Sequence, residues 1–175
     1  MAKTNKMTLV PVLIIVALIL GAGYMLISGD IKLPWMRNDN TLEIRRLEGF
    51  PTSVAAGTPT PKMREVVTNQ KDLETFLKAV DSTGNLALGE KINFDREYLL
   101  AASDQTEGND GYALKIKKVY IDKKNDSLLV SINLQQPGET CAANEVLTTP
   151  VDIVAIGKTD KKINFEIVRE TKICN

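Results

Sequence analysis

The stretch YALKIKKVYIDKKNDSLLVSINL, Tyr112 to Leu134, decides the fold. Tyr112, Leu114 and Ile116 alternate with Ala113, Lys115 and Lys117, the period-two pattern of a strand with one buried face. Val119 and Ile121 then fall out of that phase, and a β-bulge near Lys117-Lys118 accounts for the shift. DKKND, Asp122 to Asp126, is a turn, after which Leu128, Val130, Ile132 and Leu134 alternate with polar partners. Together these residues predict a long antiparallel hairpin.

Working outward, Glu97 to Ser103 (EYLLAAS) is short and apolar, as in a strand buried on both faces. Gln135-Gln136-Pro137-Gly138 ends the hairpin. Val146 to Lys158 reads as a further strand, Thr159 to Lys162 as a turn, and Ile163, Phe165 and Ile167 face one way along a last strand. Upstream, Leu73, Phe76, Leu77 and Val80 recur at helical spacing, with Asn69 as N-cap and Asp72 in the first turn. TLEIRRLEGF carries a short strand pattern, and PTSVAAGTPTP, Pro51 to Pro61, has linker composition. The globular part therefore begins near Thr41 or near Lys62. The expected fold class is α+β, mainly antiparallel β: an N-terminal transmembrane helix, then one small domain with one helix and about five strands.

Leu9 to Ile27 contains no charged residue. As a helix this run spans roughly 28 Å, close to the ~30 Å of a bilayer's hydrocarbon core. Lys3 and Lys6 precede it, which places the leading tail in the cytoplasm and the remainder outside. The predicted organisation is a cytoplasmic tail (1–8), a transmembrane anchor or uncleaved signal (9–27), a juxtamembrane segment and linker (28–61) and an extracytoplasmic domain (62–175). Secretion after cleavage is the alternative. Trp35 beside Arg37 suits a membrane–water interface as well as an ordinary linker.

Basic and acidic residues balance at 22 each, so no global field recruits nucleic acid. The chain has no histidine, which removes Ser-His-Asp and Cys-His catalysis and the commonest metal ligand. No motif calls for a cofactor or a metal: the oxygen-rich run Asp104, Glu107, Asn109 and Asp110 lacks calcium-loop spacing. In an exported chain the two cysteines, Cys141 and Cys174, read as a disulfide. A closed loop of about 34 residues contributes roughly 3–4 kcal/mol in the chain-entropy account.

With these elements placed, the segment from about Asn69 to Cys174 resembles the PrcB-like protease-complex proteins in their C-terminal domain. The resemblance rests on FDREYLLAAS, on Gly111-Tyr112 opening GYALKIKKV, on SLLVSINLQQPG, on Cys141, on TTPVDIVAIGK and on the terminal FEIVRETKIC. It departs at Val151, where the family pattern has an aromatic residue after the proline. The resemblance implies a non-enzymatic, exported module that associates with a protein partner, a protease, and stabilises or regulates it. The Gly-Tyr loop is also similar to that of chagasin-type protease inhibitors.

Both likenesses direct attention to Glu107, Gly108, Asn109, Asp110, Gly111 and Tyr112. These six residues form either a hairpin-type turn, with Gly108 and Gly111 at positive φ, or a partner-contact loop. The phase of Tyr112 with Leu114 and Ile116 turns its ring toward the core. The charge asymmetry of the N-terminal segment predicts that a reporter fused after Asn175 is exported. A reporter active only in the cytoplasm, or full solubility of the intact chain, contradicts that topology.

Overall fold

The computed structural model describes residues 40–84 and 86–174. The expected anchor at 9–27, its leading tail at 1–8, Trp35 and Arg37 lie outside the described residues. Among the described residues, no helix is long and apolar enough to cross a membrane.

The described chain forms β1 (Thr41–Leu42), β2 (Arg45–Arg46), β3 (Ser53–Ala55), β4 (Met63–Val67), α1 (Gln70–Val80), β5 (Glu97–Ser103), β6 (Ala113–Asp122), β7 (Ser127–Pro137), β8 (Thr148–Gly157) and β9 (Lys162–Lys172). One sheet has the order β1-β6-β7-β9, and the other has β2-β8-β5-β4, with β3 also pairing β8. The predicted hairpin is β6–β7, running from Ala113↔Gln135 to Asp122↔Ser127, and its register shifts between Ile116 and Lys118 as the apolar phase requires. Helix α1 starts where expected, with the Asn69 side chain accepting from the Asp72 backbone N–H at 3.0 Å.

The unit that begins at Asn40 has three layers. Leu114, Ile116 and Val119 of β6 and Leu128, Val130 and Ile132 of β7 meet Leu100, Ala102, Val154 and Ile156 between the two sheets. On the other face of the second sheet, Leu99, Ala101, Val151, Ile153 and Ala155 pack against Leu73, Phe76 and Val80 of α1. Strands β5 and β8 are thus covered on both sides, which explains why they read as near-continuous apolar runs rather than alternations.

One charged side chain sits inside the inter-sheet layer. Asp152 of β8 is buried, and its Oδ2 accepts the Ile116 backbone N–H at 2.7 Å and the Arg46 Nη1 at 2.9 Å. The same guanidinium donates to the Ile116 carbonyl. Close by, the Thr52 carbonyl accepts from Leu114 N at 3.0 Å and from Val151 N at 3.1 Å, so one residue links both sheets. Leu114 and Ile116 send their N–H groups out of the hairpin before the bulge, and beyond it Ile121 N donates to Asn40 O at 2.7 Å. The bulge therefore changes the partner of the β6 edge from β8 and its neighbours to the β1 end.

Three expectations need correction. The chain has nine strands among the described residues, not about five: four short ones, β1 to β4, precede α1 or flank the linker-like region. Residues 40–61 are not a linker, because Thr41-Leu42 pair with β6 and Arg45-Arg46 and Ser53–Ala55 pair with β8, and the compact unit is Asn40–Asn175. Proline and glycine there mark turns between very short strands. Finally, β9 does not continue antiparallel from β8. Both edges of β8 are occupied, by β5 on one side and by β2 and β3 on the other, so β9 crosses to the first sheet and pairs parallel with β7.

Burial pushes the Asp152 carboxyl above the ordinary carboxylate value, against the pull of the Ile116 N–H and of Arg46. With a raised folded pKa, the unfolded chain releases this proton first as pH rises, so stability falls from about 3.9, the unfolded value, up through the folded one. Asp110 and Asp122 act oppositely, held low by the side chains of Asn144 and Asn125, and cancel in a comparison of variants. Urea unfolding across this range should show the wild type losing stability relative to Asp152→Asn as pH rises. A wild type that gains stability relative to Asp152→Asn as pH rises contradicts the assignment.

Candidate functional site

The six residues singled out in the sequence lie between β5 and β6, where the chain crosses from one sheet to the other. They do not form a hairpin, because the strands they join belong to different sheets. Glu107 pairs with Thr148 through two backbone bonds, Glu107 N to Thr148 O at 2.8 Å and Thr148 N to Glu107 O at 2.9 Å. Asp110 is tied to Asn144 three ways: its backbone N–H donates to Asn144 O at 3.2 Å, and its carboxylate accepts Asn144 N at 2.9 Å and Nδ2 at 2.7 Å. The Asn109 side chain accepts from Gly111 N at 3.0 Å, an Asx turn. The loop is thereby fastened along its length to the 138–148 segment.

The glycines act differently from the expectation. Neither Gly108 nor Gly111 has positive φ; among described glycines that conformation belongs to Gly49 and Gly84. A Cβ on Gly111 would lie 2.8 Å from both Cβ and Cγ of Pro137, whereas one on Gly108 would meet nothing within 4 Å. Gly111 is thus required by close approach to the end of β7. Tyr112 is half-buried and belongs to neither core cluster, so its phase with Leu114 does not carry its ring into the core. Strand β6 begins one residue later, at Ala113.

The expected disulfide joins Cys141 to Cys174. It fastens the turn after β7 to the end of β9, where Gly138 N donates to Lys172 O at 3.0 Å and Thr140 Oγ1 to Cys174 O at 2.7 Å. Unmarked in the sequence is a closed ring of three hydroxyls from Thr60, Thr106 and Thr149, with Oγ1 separations of 2.9, 3.0 and 3.1 Å. Each hydroxyl can donate once and accept once around the ring, which satisfies the fully buried Thr149 and the half-buried Thr60 and Thr106 without a charge. Short separations between threonines distant in sequence leave no sequence signal.

What this end of the sheets presents outward is mixed. Val146 and Leu147 are 46% and 47% exposed beside the Glu107–Thr148 bridge. Next to them, Glu145 is exposed, and the exposed Asp110 is bonded to Asn144 two residues before Val146. A carboxylate-dependent enzyme, the less favoured alternative for this sequence, would need Asp95, Glu97 and Asp104 to converge, and they do not. Glu97 opens β5 and is held by Arg45 at 2.7 Å, while Asp104, beyond the far end of that strand, is buried against Lys62 at 3.3 Å; Asp95 lies in the turn before β5. Among the described residues, no group of three His, Cys, Asp or Glu is placed to hold a metal.

Residues 106–157 match the family model of the PrcB C-terminal domain. This part of the chain is similar to that domain. The match runs from the hydroxyl ring at Thr106 through the loop and hairpin to the last residue of β8, narrower than the resemblance from Asn69 to Cys174. No curated protein and no solved structure matched the chain. Within the matched segment, Val151 is fully buried and packs against the α1 layer.

The contrast between the two glycines is measurable by chemical denaturation. Gly111→Ala should destabilise by about 1–3 kcal/mol, the usual cost of overpacking, while Gly108→Ala stays within about 0.5 kcal/mol of wild type. Equal effects at the two positions contradict the close-approach account.

Proposed function

We propose that the domain is a binding module outside the cytoplasm, held at a membrane through residues 9–27, that associates with a protease complex and stabilises or regulates it without catalysing a reaction itself. The observation that carries this reading is a coincidence of place. The PrcB-like match covers the fastened 107–112 loop and the exposed Val146-Leu147 pair together. Exposed apolar residues on a rigid, polar-rimmed surface are what a protein partner buries at the centre of an interface. The acidic surround suits a partner with a basic rim.

Two further features support a binding role over an enzymatic one. Asp152, a carboxyl raised above its ordinary value, is engaged by backbone and Arg46 between the sheets, away from solvent. The groove lined by Glu43, Arg45, Arg46 and Glu97, about 600 Å³, contains an Arg45–Glu97 pair already bonded to itself.

The full chain, tagged after Asn175 and purified from its own membranes, should retain a protease identifiable by mass spectrometry. Leu147→Glu should reduce that retention about tenfold or more, as expected when a central apolar contact is lost, with an unchanged melting temperature. Retention of no protease, or equal retention by both forms, overturns the reading.

A further inference from the structure

The sandwich is closed along one side and open along the other. On the closed side, Asp152, Arg46 and Thr52 join β6 to β8. On the open side each sheet ends in an edge strand, β9 in the first and β4 in the second. Strand β9 has 11 residues and pairs on one side with β7, so among the described residues its other edge carries unpaired backbone donors and acceptors. Its core-side residues Ile163, Phe165 and Ile167 pack against the inter-sheet layer yet remain only partly buried. Such an edge is a ready template for another strand.

Two arginines flank this opening. Arg169 follows Ile163, Phe165 and Ile167 on the same face of β9. Across the opening, Arg64 sits opposite Ala102 in β4 and so shares the face of Val66, which also packs into the inter-sheet layer. Arg64 Nη2 is buried with no partner, and Arg169 forms no ion pair among the described residues. The two guanidiniums feel each other: burial first, and then the charge of Arg169, hold Arg64 below its ordinary value despite the opposing pull of Asp104. The nearby acid, Asp104, is itself buried and paired with Lys62 at 3.3 Å.

We propose that the free edge of β9 receives an extended segment of a partner protein as an added strand, with alternate apolar side chains over Ile163, Phe165 and Ile167 and an acidic side chain between Arg64 and Arg169. Backbone pairing supplies affinity in such strand addition, and the side-chain alternation with one carboxylate supplies register. This surface is distinct from the Val146-Leu147 patch and goes beyond the function proposed for it. A second copy of the chain fits less well. Two-fold antiparallel pairing of β9 over nine or more residues sets like charges opposite: Lys162 with Lys172, Glu166 with itself, or Glu166 with Glu170. Charged residues along the strand also limit indiscriminate edge pairing.

The test uses the full chain in detergent micelles and fluorescent nonapeptides alternating valine and serine, each with one glutamate moved through the sequence. Binding should depend on the glutamate's position, disappear when the peptide backbone is N-methylated on alternate residues, and protect β9 amides from hydrogen exchange. Arg169→Glu, an exposed change that leaves the fold intact, should weaken the best peptide about tenfold or more, with Arg169→Lys recovering part of it. Peptides that bind no better than their N-methylated copies, or an Arg169→Glu variant that binds equally, overturn the proposal. Concentration-dependent dimerisation that protects β9 without peptide also overturns it, assigning the edge to a second copy.

Discussion

The two sheets are held at one corner by a single carboxylate. A β-bulge in β6 keeps Leu114, Ile116, Val119 and Ile121 on the same side, and ahead of it Leu114 and Ile116 point their N–H groups away from β7. An N–H left unpaired in a core costs about 1–3 kcal/mol, and Asp152 meets that of Ile116 from the opposite sheet. A buried carboxylate is itself costly unless paired, which is the role of Arg46, reaching in from a strand of two residues. Ala102 faces Asp152 across the β5–β8 ladder, and its small side chain leaves room for this arrangement within a packed layer. Aspartate, arginine and alanine therefore form one unit around the Ile116 N–H.

That unit sets the asymmetry of the two-sheet domain. Drawing β6 against β8 consumes the edges on one side, where β1, β2 and β3 cover what remains. Nothing comparable joins β4 to β9, and the apolar residues of β9 stay half-exposed. The disulfide acts at the end of this less protected strand, fastening the last residues of a parallel pair to the turn after β7. Parallel pairing needs a long crossover, here supplied by the chain through β8, and such non-local contacts gain most from a covalent closure.

Legibility in the sequence followed the range of the interactions. The hairpin, its bulge and α1 were readable because apolar periodicity and capping are local: Leu128 to Leu134 alternate, and Asn69 caps Asp72 three residues away. The double burial of β5 was readable from composition alone. Strands of two or three residues are below the length at which alternation has meaning, so Thr41-Leu42 and Ser53–Ala55 resembled a linker. The destination of β9 was unreadable because it depends on which edges of β8 are already taken. Gly111 was noticed for the wrong reason: a glycine required by a proline 26 positions later looks identical to a glycine required by a turn. The hydroxyl ring and the Asp152 unit had no local signature at all.

The manner in which the loop is held bears on how a Gly-Tyr segment can engage a partner. A loop that inserts into a cleft must project beyond its scaffold and adapt. Here Glu107 is fixed to Thr148, Asp110 to Asn144, and Gly111 lies against Pro137, so residues 107–111 cannot leave the 138–148 segment without losing paired hydrogen bonds. The surface so formed is broad, with Val146 and Leu147 as its exposed apolar residues rather than a protruding tip. Ordering has already been done by intramolecular bonds, so association costs less conformational entropy and can rely on a modest area of contact. The geometry therefore favours docking by a preformed face over insertion of a flexible loop, which separates this PrcB-like segment from the inhibitor likeness that the same Gly-Tyr pair suggests.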